Sequence, residues 1–174
     1  MQSIAQLILK NLKRNDRAEG EGSRDRGKQS TVSNLSIILQ DYTNLPYASS
    51  PLSLSPSQLA AACAIPVNYE RLPLTLGRVV YLAEACLQPP GITVNLTAIE
   101  KITACAAEIP DEYRVWFTEA ALSEIIIAHE LYHILAQQPS SRVAEIHAHD
   151  FAQVLTEVPF APDVYEEILR QITG

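Results

Sequence analysis

Between Ser123 and Ala136 the chain is apolar almost all round a helix, and the chief exceptions on its buried face are His129, Glu130 and His133. A helix of that composition is buried. Burying a carboxylate between two imidazoles without compensation costs roughly several kcal/mol, so the segment must fold around something that offsets it. Residues four apart share a helix face, and the H-E-x-x-H spacing of His129-Glu130-Leu131-Tyr132-His133 therefore offers two imidazoles to one tetrahedral ion. Glu130 lies beside the pair, placed to take a proton from a water held there. The plainer reading is two core histidines bonded to backbone, with Glu130 salt-bridged elsewhere. Three specified residue types on one apolar helix favour the ion.

A chain of 174 residues with 47% apolar and 19% charged side chains suits one globular domain. Its net charge of -7 argues against nucleic acid or an acidic membrane surface as a general partner. That charge is uneven: residues 1–33 sum to +3 and the remainder to -10. Cys63, Cys86 and Cys105 are odd in number, lack C-x-x-C spacing and sit among Ala, Leu or Ile, as reduced thiols of a cytoplasmic protein do. The apolar run near Met1 is too short for a signal peptide, and no stretch has the length of a membrane span. A soluble, cytoplasmic protein is expected.

Residues 1–12 read as a short amphipathic segment through Ile4, Leu7, Ile8 and Leu12, and residues 13–34 as a disordered linker with little to bury. The folded domain is expected over residues 35–174. Ser55-Pro56-Ser57-Gln58 is a helix opening with a capping serine, an N1 proline and a glutamine three residues after the cap. Two β-rich runs follow, Val79–Leu82 and Ile92–Leu96; the first lies within a stretch, Arg78 to Leu87, that also reads as helix. Pro89-Pro90-Gly91 separates them. Thr97-x-x-Glu100 predicts a capped helix to about Ala107. Pro110 opens an unbroken helical stretch to Gln138 in which Trp116 and Phe117 anchor the start. Ser141 caps a helix over Arg142–Thr156, and Asp163-x-x-Glu166 caps the last one. The fold class expected is α+β, mostly helical, with a small sheet ahead of the H-E-x-x-H helix.

A catalytic zinc needs a third protein ligand and one open position. The helix after Pro139 carries Glu145, His147 and His149 at heights comparable to His133, counted from the turn. Glu145 and His149 share a face, while His147 points about 200° away from Glu145. Spacing alone leaves the three open. Ala128-His129-Glu130-Leu131-Tyr132-His133 and Glu145-Ile146-His147-Ala148-His149-Asp150-Phe151-Ala152 together resemble zincin metallopeptidases of the ImmA/IrrE type. These carry Ala-His-Glu-x-x-His on one helix and Glu-x-x-Ala-Asn/Asp-x-Phe-Ala on the next. The resemblance is close over about 35 residues. It implies a zincin-like core, zinc on His129, His133 and Glu145, and Glu130 as general base. The chain departs from the pattern at His149, where Asn or Asp is usual, and at His147 and Tyr132. His149 is then a group that orients a zinc histidine or an alternative ligand, and His147 a further alternative.

The expectation is a zinc-dependent metallopeptidase acting on a protein or peptide, by family resemblance a regulator, with Ile92–Leu96 as an open sheet edge for an extended substrate. Tyr132 and Tyr165 are weighed as oxyanion donors, with core packing favoured for both; Asp150 reads as a solvated helix residue. One rival is a catalytically inactive zincin-fold metal-binding or interaction module. Another is a partner of a mobile element or toxin system reached through the N-terminal tail.

Overall fold

A computed structural model of the chain describes residues 54–174, apart from Arg78 and Ser140, together with Gln6. The expected amphipathic segment and linker lie outside the described residues except for Gln6, as does the start of the expected domain.

Helix α1 (Pro56–Ala62) begins as its sequence predicts. Ser55 accepts from the Gln58 amide, and Gln58 Oε1 accepts from the Ser55 amide at 2.9 Å. Its first turn is also tied to the core. The Ser57 amide and hydroxyl donate to the two oxygens of Glu124 at 2.9 and 2.6 Å.

Five short strands follow: β1 (Val67–Glu70), β2 (Thr75–Leu76), β3 (Val79–Val80), β4 (Ala83–Leu87) and β5 (Pro90–Asn95). β2 and β3 form a separate hairpin. Gly77 in its turn has φ 63°, a conformation costly for any residue with a Cβ. The three-stranded sheet has the order β1-β5-β4, with β1 parallel and β4 antiparallel to β5. Ile92 and Val94 alternate into the core with no exposed surface, as their spacing predicts. The expectation that Ile92–Leu96 offers an open edge is corrected: β5 is the centre strand, and the edges are β1 and β4. Alternation reports a buried face but not how many neighbours a strand has. β1, mostly exposed, left little apolar signal. Residues 79–87 are extended in two pieces, not helical.

Helix α2 (Leu96–Ala104) is capped differently from the expectation. Asn95 accepts from the Thr97 amide, and Glu100 forms a two-pronged pair with Arg71 at 2.7 and 2.6 Å. The predicted continuous helix from Pro110 is likewise divided. Asp111–Phe117 is 3-10, Thr118 turns extended and caps through its hydroxyl, and α3 runs Glu119–Leu135. Helix α4 spans Arg142–Thr156 with Ser141 as cap, as predicted. In α5 (Asp163–Thr173) the cap position falls on Pro162 and not on Asp163, which is already the first helical residue.

The protein is thus α+β and mostly helical. Helix α3 is its axis, burying Leu122, Ile125, Ile126, Ile127, Ala128, Leu131, Ile134 and Leu135. The sheet packs on one side of it, and α1 and α4 pack along it. At the start of α3, Phe117 stacks on Phe160 at 5.7 Å and meets Tyr165 edge-on at 5.2 Å. The Tyr165 hydroxyl donates to the Trp116 carbonyl at 2.9 Å. This cluster fixes α5 over the mouth of the site. No helix among the described residues is long and apolar enough to cross a membrane.

Candidate metal centre

The second half of α3 presents His129 and His133 one turn apart, as the four-residue spacing requires, with Glu130 directly after His129. The helix then stops abruptly. Gln137 takes φ 51°, the Gln138 amide donates to the His133 carbonyl at 3.0 Å, and the Gln137 amide donates to the Ile134 carbonyl at 3.2 Å. This is a Schellman closure with glutamine in the left-handed position that glycine usually takes. It has a chemical consequence. The Gln138 carbonyl returns to His133 and accepts from Nδ1 at 3.1 Å. A proton fixed on Nδ1 leaves the Nε2 lone pair of the neutral ring directed at the centre. Three residues on, the Ser141 hydroxyl caps α4 by accepting from the Ala144 amide at 3.2 Å, and Glu145 enters in the first turn.

The three side chains converge. His129 Nε2 and His133 Nε2 are 3.3 Å apart. One oxygen of Glu145 lies 3.1 Å from His129 Nε2, and its other oxygen lies 3.5 Å from His133 Nε2. Donor atoms bonded to a tetrahedral ion at about 2.0–2.1 Å stand about 3.3 Å from one another. The two nitrogens stand at that separation, and the Glu145 carboxylate turns one oxygen toward each of them. One donor atom from each residue lies within 4.8 Å of the others, and the group could hold a metal ion. His133 is 5% exposed, so its ring nitrogen has few partners beyond this group and Gln138. Without a cation, two bare Nε2 lone pairs at 3.3 Å would repel, unless one ring carried a proton.

Burial and the neighbouring charges set the ionisation of these groups. Burial draws the His133 pKa down, but the hydrogen bond it donates to Glu145, the charges of Glu130 and Glu145 and the Gln138 carbonyl outweigh it and leave it above the ordinary value. Glu130 moves the same way for another reason. Burial raises its pKa, opposed by the two imidazoles and by a hydrogen bond from the Ala85 amide. That amide lies in β4, so the sheet edge holds the carboxylate in place.

A cavity of about 470 Å³ opens on this group. Its wall includes Ala83 and Ala85 of β4, Ile125 and Ile126 of α3, and Pro162 and Glu166 at the start of α5. His129, Glu130, His133, Glu145 and His149 all line it. His149 sits with its ring centroid 4.8 Å from that of His129 but does not join the three-residue group. His147 faces elsewhere. It is exposed, and its Nδ1 lies 3.1 Å from the Tyr132 hydroxyl.

No protein-family model matches the chain, and comparison with curated proteins and with solved structures gives no match.

Several residues of the site carried no recognisable signal in the sequence. Glu166 reaches the cavity because the aromatic cluster folds α5 back over it. Burial raises its pKa against the pull of Arg170, which donates to it at 2.5 Å. The alanines of β4 matter through their backbone, which sequence pattern does not distinguish. Tyr165 lines the cavity as well, but its hydroxyl is committed to Trp116.

Proposed function

We propose that the protein is a zinc-dependent metallopeptidase of the zincin type, with His129, His133 and Glu145 as metal ligands and Glu130 as general base. The observation that carries this reading is the convergence of two imidazole nitrogens 3.3 Å apart and the Glu145 carboxylate, one donor atom from each within 4.8 Å of the others, beside the Glu130 carboxylate, which is not needed as a ligand. Two imidazoles and one carboxylate suit zinc and leave a fourth position open. A zinc ion held there supplies Lewis-acid chemistry, acidifying a water and polarising a carbonyl.

The chain's own residues do the rest. Glu130 accepts a proton from the attacking water and delivers it to the departing amine, and its raised pKa suits a group that must do both near neutrality. The Ala85 amide and the two imidazoles keep the carboxylate turned toward the water. Along the cavity, β4 is an edge of the sheet among the described residues, and an extended peptide is expected to pair with it. The resemblance to ImmA/IrrE-type enzymes points to cleavage of a protein partner, a regulator among the possibilities.

The test compares Glu130→Gln and His133→Ala with wild type for zinc content and for cleavage of a quenched fluorescent peptide library. Wild type is expected to hold about one zinc. Glu130→Gln keeps the metal and loses cleavage; His133→Ala loses both. Zinc without cleavage in wild type would favour the alternative of a metal-binding or interaction module. Absence of tightly held metal in wild type would overturn both.

A further inference from the structure

Where β3 packs against α5, the wall of the cavity changes character. Val79 and Val80 come from the hairpin, Leu82 from the link into β4, and Pro162, Tyr165 and Glu166 from the start of α5. Tyr165 spends its hydroxyl on the Trp116 carbonyl, so within this set only the Glu166 carboxylate is left to meet a polar occupant.

A carboxylate among apolar groups suits one kind of side chain. Lysine and arginine join an aliphatic stem to a charged head, so the stem can cover the apolar wall while the head reaches the anion. A wholly apolar side chain would strip water from Glu166 without replacing it, and an acidic one would be repelled.

The charges of the wall favour the same occupant. Glu84, Glu130, Glu145 and Glu166 line the cavity, and among the described residues no lysine or arginine does. A dication in the candidate centre would offset Glu130 and Glu145. Glu84 accepts from the neutral Tyr81 hydroxyl at 2.9 Å, which leaves its charge in place. Arg170, outside the wall, is shared: it donates to Glu166 Oε2 at 2.5 Å and to Glu167 at 3.1 Å, so this trio keeps one negative charge. The other oxygen of Glu166 accepts no hydrogen bond among the described residues. The carboxylate also interacts electrostatically with His129 and Glu145, which sets it close to the candidate centre. We propose that this end of the cavity is a subsite for a lysine or arginine side chain of the bound peptide, beside the bond that is cut, and that Glu166 selects it. The proposal rests on the hydrolytic reading of the same cavity.

Short capped peptides of mixed sequence, each with one fixed position held by arginine, norleucine or glutamate, are titrated against zinc-incubated Glu130→Gln protein, which should bind without cutting. At one position arginine is expected to bind about tenfold more tightly than norleucine, with glutamate weakest. Adding Glu166→Gln should bring arginine down to norleucine and leave the norleucine affinity unchanged. Adding Arg170→Gln instead should widen the gap, because it uncovers the second oxygen of Glu166. A packing role would weaken all three peptides in both variants and would overturn the proposal. So would the absence of any arginine preference, or one that survives Glu166→Gln. Mass spectrometry of the same peptides after exposure to wild type locates the cut: next to the arginine supports the subsite, remote from it overturns it. A wild type that holds no zinc and cuts nothing brings down the hydrolytic reading, and the titration reports on the subsite separately.

Discussion

At the scale of single residues, the site turns on groups whose ionisation depends on what they face. In metal-free protein, His133 and Glu130 both sit above their ordinary values of 6.5 and 4.5. The folded chain therefore binds more protons than the unfolded one, and stability falls as pH rises. The His133 contribution is fully present below 6.5 and is lost as pH climbs through its raised folded value. The Glu130 penalty grows from 4.5 upward. With chelator, the urea midpoint is expected to be lower at about pH 8 than at about pH 6. With zinc the order should reverse, because protons compete with the metal for the same nitrogens. Identical pH trends in both samples would count against the site. Ion-pair changes elsewhere cancel in this comparison. Glu145→Gln gives a further check: replacing a charged ligand with a neutral amide should weaken zinc affinity by tenfold or more while leaving the circular dichroism unchanged. Of these residues, His129, Glu130 and His133 stood out by their spacing, whereas spacing left Glu145 open beside His147 and His149 and only the family resemblance singled it out. The Gln138 carbonyl and the Ala85 amide were not, because every residue carries those groups and only the fold selects which are used.

At the scale of elements, local signals succeeded where they were self-contained. The Ser55 box and the Ser141 cap read correctly because each cap is satisfied within four residues. Thr97 and Glu100 misled because Arg71, distant in sequence, takes the glutamate and Asn95 takes the cap. Asn95 is the hidden clasp of the fold. It is fully buried, its Oδ1 accepts from the amides of Leu72 and Thr97, and its Nδ2 donates to the carbonyls of Pro73 and Tyr81. Asn95→Ala leaves buried partners unmatched and is expected to cost about 3 kcal/mol, seen as a lower urea midpoint. A value under about 1 kcal/mol would mean water replaces the amide. At the other end of α3, Gln137 sits at φ 51°. Gln137→Gly should relieve about 1 kcal/mol of left-handed strain, partly offset by chain entropy, and raise the thermal midpoint slightly with zinc content unchanged.

At the scale of the whole molecule, the sheet, α3, α4 and α5 surround one cavity, and the mostly helical plan was readable from periodicity and punctuation. Strand order was not, since which strand lies central depends on partners that alternation does not name. The candidate metal group joins α3 to α4, so binding there should stabilise the folded state as a unit. At a free zinc concentration a thousand times the dissociation constant the gain is about 4 kcal/mol. Removing zinc should lower the thermal midpoint by several degrees and restoring it should reverse the loss. A midpoint indifferent to chelator would be incompatible with a tightly held ion.

The closure after α3 adds one more consequence. The Gln138 residue that ends the helix also orients the His133 ring, so fraying of that corner would release the ring as well, and with it any ion the ring holds. Deuterium uptake at the amides of residues 136–138 should therefore act as a built-in gauge of occupancy, slow in loaded protein and fast in stripped protein. It needs no substrate to read.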